Sequence, residues 1–145
     1  MCEGVIMDRL FELYDEGVNA PKCETVKAGK YNGFEYFILW YRNHPNAYIK
    51  IPKDHPFYEK DHNEIDDKGY VHGCFTFSGK NLHKDNGLED GWYLGWDYAH
   101  AGDYQAFSDG FIISEKRWSV REIEEECKLV IDVAIRGKNE SRSSD

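Results

Sequence analysis

The sequence predicts an α+β fold: a mostly antiparallel sheet of about five strands flanked by an N-terminal and a C-terminal helix. Three observations carry this. Apolar residues recur at helical spacing near the start, Asn32-Gly33 separates two runs with strand character, and a capping box at Ser119–Glu122 opens a long apolar stripe near the end.

Val5, Ile6, Leu10, Leu13 and Tyr14 fall on one helical face, with Asp8, Arg9, Glu12, Asp15 and Glu16 opposite, and Gly17 stops the pattern. Glu24 to Tyr31 and Phe34 to Arg42 read as a hairpin, because Asn-Gly adopts positive φ at little cost. The second of these runs is apolar at nearly every position, as expected of a strand covered on both faces. A third strand, Ala47 to Ile51, follows a turn at His44-Pro45-Asn46 and ends at Pro52. Lys53 to Lys68 reads as a polar surface loop with one helical turn, in which His55 and His62 are solvated; His83, in the next loop, reads the same way.

Tyr70 to Ser78 alternates, placing Val71, Phe75 and Phe77 on one face. After a second polar loop, Lys80 to Asp90, the run Gly91 to Ala99 puts Trp92, Leu94, Trp96 and Tyr98 on one side and Tyr93, Gly95 and Asp97 on the other. Phe107 to Ile113 reads as irregular or a short edge strand. In the last element Val120, Ile123, Cys127, Val130, Ile131 and Ala134 form one stripe, so the helix lies across the sheet until Gly137 ends it. Residues 1–137 are then one domain and 138–145 a mobile polar tail.

Composition narrows the function classes. The 145 residues hold 18 Lys+Arg against 27 Asp+Glu, a net charge of -9, which argues against direct binding of nucleic acid or an anionic membrane. Four Trp, ten Tyr and eight Phe supply a large core despite a mean hydropathy of -0.72. Cys2, Cys23, Cys74 and Cys127 are scattered, and the acidic N-terminal segment lacks the features of a signal peptide, so a cytoplasmic protein with reduced thiols is expected.

Three groups of residues invite a functional reading. Asp97-x-x-His100-x-x-Asp103 leaves a strand, and His72 lies on the polar face of the preceding one; if they converge, imidazole and carboxylates suit a divalent metal that activates water. The competing reading, which takes precedence, has these side chains fixing an Ala-Gly turn by local hydrogen bonds. Trp92, Trp96, Tyr93 and Thr76 could form a stacking surface for a base or sugar, although core packing is the commoner role of such Trp residues. Glu59, Asp61, Glu64, Asp66, Asp67, Asp85, Glu89 and Asp90 cluster in two loops. They form a solvated face or a phosphate-like array that occupies the basic groove of another protein. Cys74 reads as an inert small hydrophobe, and glycine-rich phosphate loops and nucleophile elbows are lacking.

Val71-His72-Gly73-Cys74-Phe75-Thr76-Phe77-Ser78-Gly79 and the run Gly91 to Asp103 resemble small uncharacterised phage, prophage and bacterial proteins. Those proteins carry H-G-G-x-T-Y/F-S followed by G-W-W/Y-x-G-F/W-D-x-A-H-x-G-D. Cys74 departs from the second glycine of the first motif. The resemblance covers about the second half of the chain and implies a mobile-element origin.

Together these readings lead to one expectation: a non-enzymatic, phage-type accessory protein, anti-CRISPR-like or similar. It would inhibit a host defence protein by laying its acidic loops into a basic groove inside the bacterial cytoplasm. No cofactor is expected on that reading, and a homodimer stays open. The alternatives are a metal-dependent hydrolase using His72, Asp97, His100 and Asp103, with a divalent metal as cofactor, and a module that sequesters a nucleotide or other small ligand.

Overall fold

The computed structural model describes residues 8–65, 75–82, 88–100, 103–105 and 116–143, with side chains through Arg136. Helix α1 (Arg9–Glu16) and a 3-10 turn at Gly17–Asn19 lead into strands β1 (Cys23–Tyr31), β2 (Phe34–Tyr41) and β3 (His44–Lys50). A short 3-10 turn at His62–Glu64, strands β4 (Phe77–Gly79) and β5 (Tyr93–Asp97), and helix α2 (Val120–Ser143) complete the described elements. The sheet is antiparallel throughout, in the order β1-β2-β3-β5-β4. This is the α+β fold that the sequence predicts.

The β1–β2 hairpin turns at Asn32-Gly33, where Asn32 has φ 49° and Gly33 φ 84°. The next turn differs from expectation. It lies at Arg42-Asn43, with Arg42 at φ 59°, and His44-Pro45-Asn46 already belongs to β3. Pro45 is tolerated in this central strand because it sits at the end of the β3–β5 ladder, which begins one residue later at Asn46↔Asp97. Against β2, Pro45 follows the turn-closing pair Tyr41↔His44 and falls between hydrogen-bonded pairs, where no N–H is required.

The two sheet faces are unequal. Tyr36, Ile38, Trp40, Ile49, Leu94 and Trp96 face the helices and meet Leu10, Leu13 and Tyr14 of α1 and Ile123, Cys127, Val130 and Ile131 of α2. Burying each such side chain contributes about 1.5–3 kcal/mol before chain entropy is counted. Tyrosines add directional links to α2: Tyr36 Oη donates to Glu124 Oε2 at 2.6 Å, Tyr31 Oη to Asp132 Oδ2 at 3.1 Å, and Tyr98 Oη to Glu126. On the opposite face, which neither described helix covers, a smaller cluster of Phe37, Leu39, Tyr48, Tyr93 and Leu82 is buried. Gly95 lies between Tyr48 and Phe77 in the cross-strand row, and a Cβ there would run into the Tyr48 ring.

The alternation of β5 stands as predicted, with Leu94, Trp96 and Tyr98 in the helix-side core and Tyr93 in the other cluster. Phe75 and Phe77 do not share a face: Phe75 packs beside Trp96 at 6.0 Å between ring centroids, whereas Phe77 packs on Tyr48 at 5.6 Å. The regular strand begins only at Phe77, so a period-2 pattern does not carry back across Thr76.

His55 is buried rather than solvated, at 4% exposure. Its Nδ1 accepts from Phe57 N at 3.0 Å and its Nε2 donates to Ala134 O at 2.8 Å, so both ring nitrogens are satisfied and the neutral tautomer is set. His62 is half-buried and contacts Ser78 Oγ at 2.9 Å. Helix α2 starts with the expected capping box, Ser119 Oγ accepting from Glu122 N at 3.1 Å and Glu122 Oε1 from Ser119 N at 3.0 Å. It runs on through Gly137, where the pattern placed its end, to Ser143. One glycine costs a helix only about 1 kcal/mol, and the residues after it include good helix formers and no proline.

Candidate functional site

Asp97, His100 and Asp103 do meet at the exit of β5. His100 Nδ1 lies 3.6 Å from Asp97 Oδ1 and 3.6 Å from Asp103 Oδ2. Local hydrogen bonds explain the convergence: His100 N donates to Asp103 Oδ2 at 3.1 Å, Asp103 N to His100 O at 2.9 Å, and Ala99 N to Asp97 Oδ1 at 3.3 Å. The two carboxylates thus shape the turn, as short polar side chains do. Asp103 is 3% exposed, and its Oδ1 also accepts from Trp118 Nε1 at 2.9 Å, tying the turn to the approach to α2. Asp97 is less committed, being half-buried, with Oδ2 accepting from Thr76 Oγ1 at 3.3 Å.

His72, the fourth member of the expected metal set, lies outside the described residues, as do Cys74, His83, Asp66, Asp67, Asp85 and the segment 107–113. Among the described residues, no group of three or more His, Cys, Asp or Glu side chains is arranged to hold a metal ion.

The expected stacking surface divides. Trp96 and Tyr93 are each 1% exposed and present no ring face to solvent. Trp96 Nε1 donates to Tyr98 Oη at 3.0 Å and Tyr93 Oη to Glu89 O at 2.6 Å, so the polar end of each ring is satisfied within the core. Trp92 is half-buried, its Nε1 donating to Lys60 O at 3.2 Å, and Thr76 is exposed.

The acidic residues within the described segments, Glu59, Asp61, Glu64, Glu89 and Asp90, are all exposed. The Trp92–Lys60 bond joins the loop carrying the first three to the start of β5, just after Asp90. Asp61 caps the 3-10 turn through Asn63 N at 2.9 Å, and the Glu89 side chain is 90% exposed.

The sequence reading missed Asn46 and Tyr48, on the sheet face that neither described helix covers. Asn46 pairs with Asp97 across β3 and β5, which puts both side chains on one face. Asn46 is 9% exposed; its Nδ2 donates to Tyr48 Oη at 2.9 Å, and its buried Oδ1 has no hydrogen-bond partner. Burial pushes the Tyr48 phenol up to about 12; the Asn46 hydrogen bond works against this, while Cys23, Asp97 and Tyr41 add to it. The signal for Asn46 was alternation from His44 onward, which is visible only once the turn is moved back to Arg42-Asn43.

No family model, curated protein or solved structure matches the chain.

Proposed function

We propose that the chain is a non-enzymatic accessory protein of phage type that blocks a host defence protein by occupying its basic groove. The single observation that supports this reading best is the anchoring of the acidic loops. Glu59, Asp61 and Glu64 project from a segment held by His55 to α2 and by Lys60 O to Trp92, and Glu89 and Asp90 stand just before that indole in the chain. Carboxylates on a braced backbone lose little entropy on docking, and complementary potential speeds encounter with a cationic groove. The net charge of -9 works in the same direction and disfavours direct nucleic-acid binding. On this reading the protein acts in the bacterial cytoplasm.

The test is association of the purified chain with purified nucleases and signalling components of host defence across a salt series. Binding that weakens with salt, and that Glu59→Lys, Asp61→Lys and Glu64→Lys together abolish in a still-folded protein, supports the reading. Lack of binding to every component, or binding indifferent to the charge reversals, overturns it.

A further inference from the structure

We propose that Asn46 and Asp97 hold a hard divalent cation, of the Mg2+ or Ca2+ class, on the sheet face that neither described helix covers. The argument starts from register. Asn46 and Asp97 are cross-strand partners, so their Cβ atoms stand about 4.5–5.5 Å apart on one face. The Asn46 amide is oriented by its bond to Tyr48 Oη, which directs Oδ1 away from Tyr48. Of the two residues flanking Asn46 across the sheet, Leu39 is apolar and Asp97 is a carboxylate. A buried amide oxygen without a partner therefore has a carboxylate on the adjacent strand, and a cation between the two would satisfy both.

The donor chemistry selects the cation. An amide oxygen and a carboxylate are hard ligands that Mg2+ and Ca2+ accept together with water, whereas zinc and iron favour sets of imidazole and thiolate groups, of which His100 alone stands beside Asp97 among the described residues. Asp97 has capacity to spare, since its two described hydrogen bonds, from Ala99 N and Thr76 Oγ1, are both long at 3.3 Å. Asp103 takes no part as a ligand. Its oxygens accept from Trp118 Nε1 and His100 N, and it steadies the turn that Asp97 opens.

Isothermal titration of the full chain with Ca2+ and with Mg2+ tests this, each variant first being checked for folding by circular dichroism. The expected result is saturable one-to-one binding of at least one cation, weakened about tenfold or more by Asp97→Asn. Asn46→Asp, nearly isosteric with the native side chain, tightens it by adding a charge, and Glu64→Gln in the exposed loop leaves it unchanged. The proposal is overturned by absence of saturable binding, by Asp97→Asn binding as the parent does, or by Glu64→Gln losing the cation. The first outcome would mean that the Asn46 amide is turned about and donates directly to Asp97.

Discussion

The carboxylate of Asp8 reaches the first backbone N–H of α2: its Oδ2 accepts from Val120 N at 2.9 Å, while its Oδ1 accepts from Leu10 N at 2.9 Å in its own helix. One side chain thus caps two helices far apart in sequence and satisfies a donor that each helix start leaves over. Its negative charge also lies at the positive end of both dipoles. Asp8→Ala should lower stability by about 2 kcal/mol, twice the usual value of one cap. Asp8→Asn keeps one acceptor oxygen but sets an amide NH2 against the other N–H, so it should retain one cap and fall between Asp8→Ala and the parent. Denaturant unfolding of the three proteins checks the order; equal stability of Asp8→Ala and parent would refute the shared cap.

Glu59 holds φ at 61° in the turn that follows His55. A side chain in this left-handed region costs roughly 1–2 kcal/mol, against about 0.5–1 kcal/mol of added chain entropy for glycine. Glu59→Gly is therefore expected to raise the denaturation midpoint, by about 0.5–1 kcal/mol in stability, with an unchanged denaturant slope. If the proposed docking surface is right, the same substitution weakens partner binding while it strengthens the fold.

How far the sequence was readable depended on whether the deciding interaction was local. Asn32-Gly33, the Ser119–Glu122 box and the alternation of Trp92 to Tyr98 are short-range patterns, and each is found where it was expected. Pro45 misled because a proline usually ends a strand, and its tolerance here depends on which neighbouring strand faces its nitrogen. His55 looked solvated among polar neighbours, and only the carbonyl of Ala134 on α2 explains its burial. For the same reason the convergence of Asp97, His100 and Asp103 was visible as a spacing, whereas Asn46 joins them through the β3–β5 register alone.

Stability should fall at both ends of the pH scale. Glu24 is held below the ordinary 4.5 chiefly by its hydrogen bonds from Arg9, and Glu122 chiefly by that from Lys116. A lowered folded pKa means that the unfolded chain takes up the proton first, so this stabilisation is complete above about pH 4.5 and is lost as pH falls towards the folded values. Burial raises Tyr14, Tyr36, Tyr48 and Tyr98 above the ordinary 10.0, with the carboxylates of Glu124 and Glu126 adding to the effect at Tyr36 and Tyr98. Their contribution is complete below about pH 10 and lost above it, because the unfolded phenols ionise first. Unfolding midpoints across the pH range check both arms; Glu24→Gln should flatten the acid arm and Tyr36→Phe the alkaline one.

The two carboxylates beside His100 should separate cleanly in stability measurements. Asp103 is almost fully buried and accepts from Trp118 Nε1 at 2.9 Å and His100 N at 3.1 Å. Asp103→Ala strands an indole N–H and a backbone N–H in a poorly hydrated place, where each lost bond to a charged group costs about 1.5–3 kcal/mol. A total loss of about 3 kcal/mol is expected. Asp97 is half-buried, and its bonds from Ala99 N and Thr76 Oγ1 are both at 3.3 Å, so water can replace the carboxylate as a partner. Asp97→Ala should cost less than about 1 kcal/mol. Thermal and denaturant unfolding of the pair, measured without added cation, decide the matter. If Asp97→Ala proves the more damaging, the division of these residues into turn scaffold and cation ligand fails, because the carboxylate available to a ligand would then be the one that holds the fold.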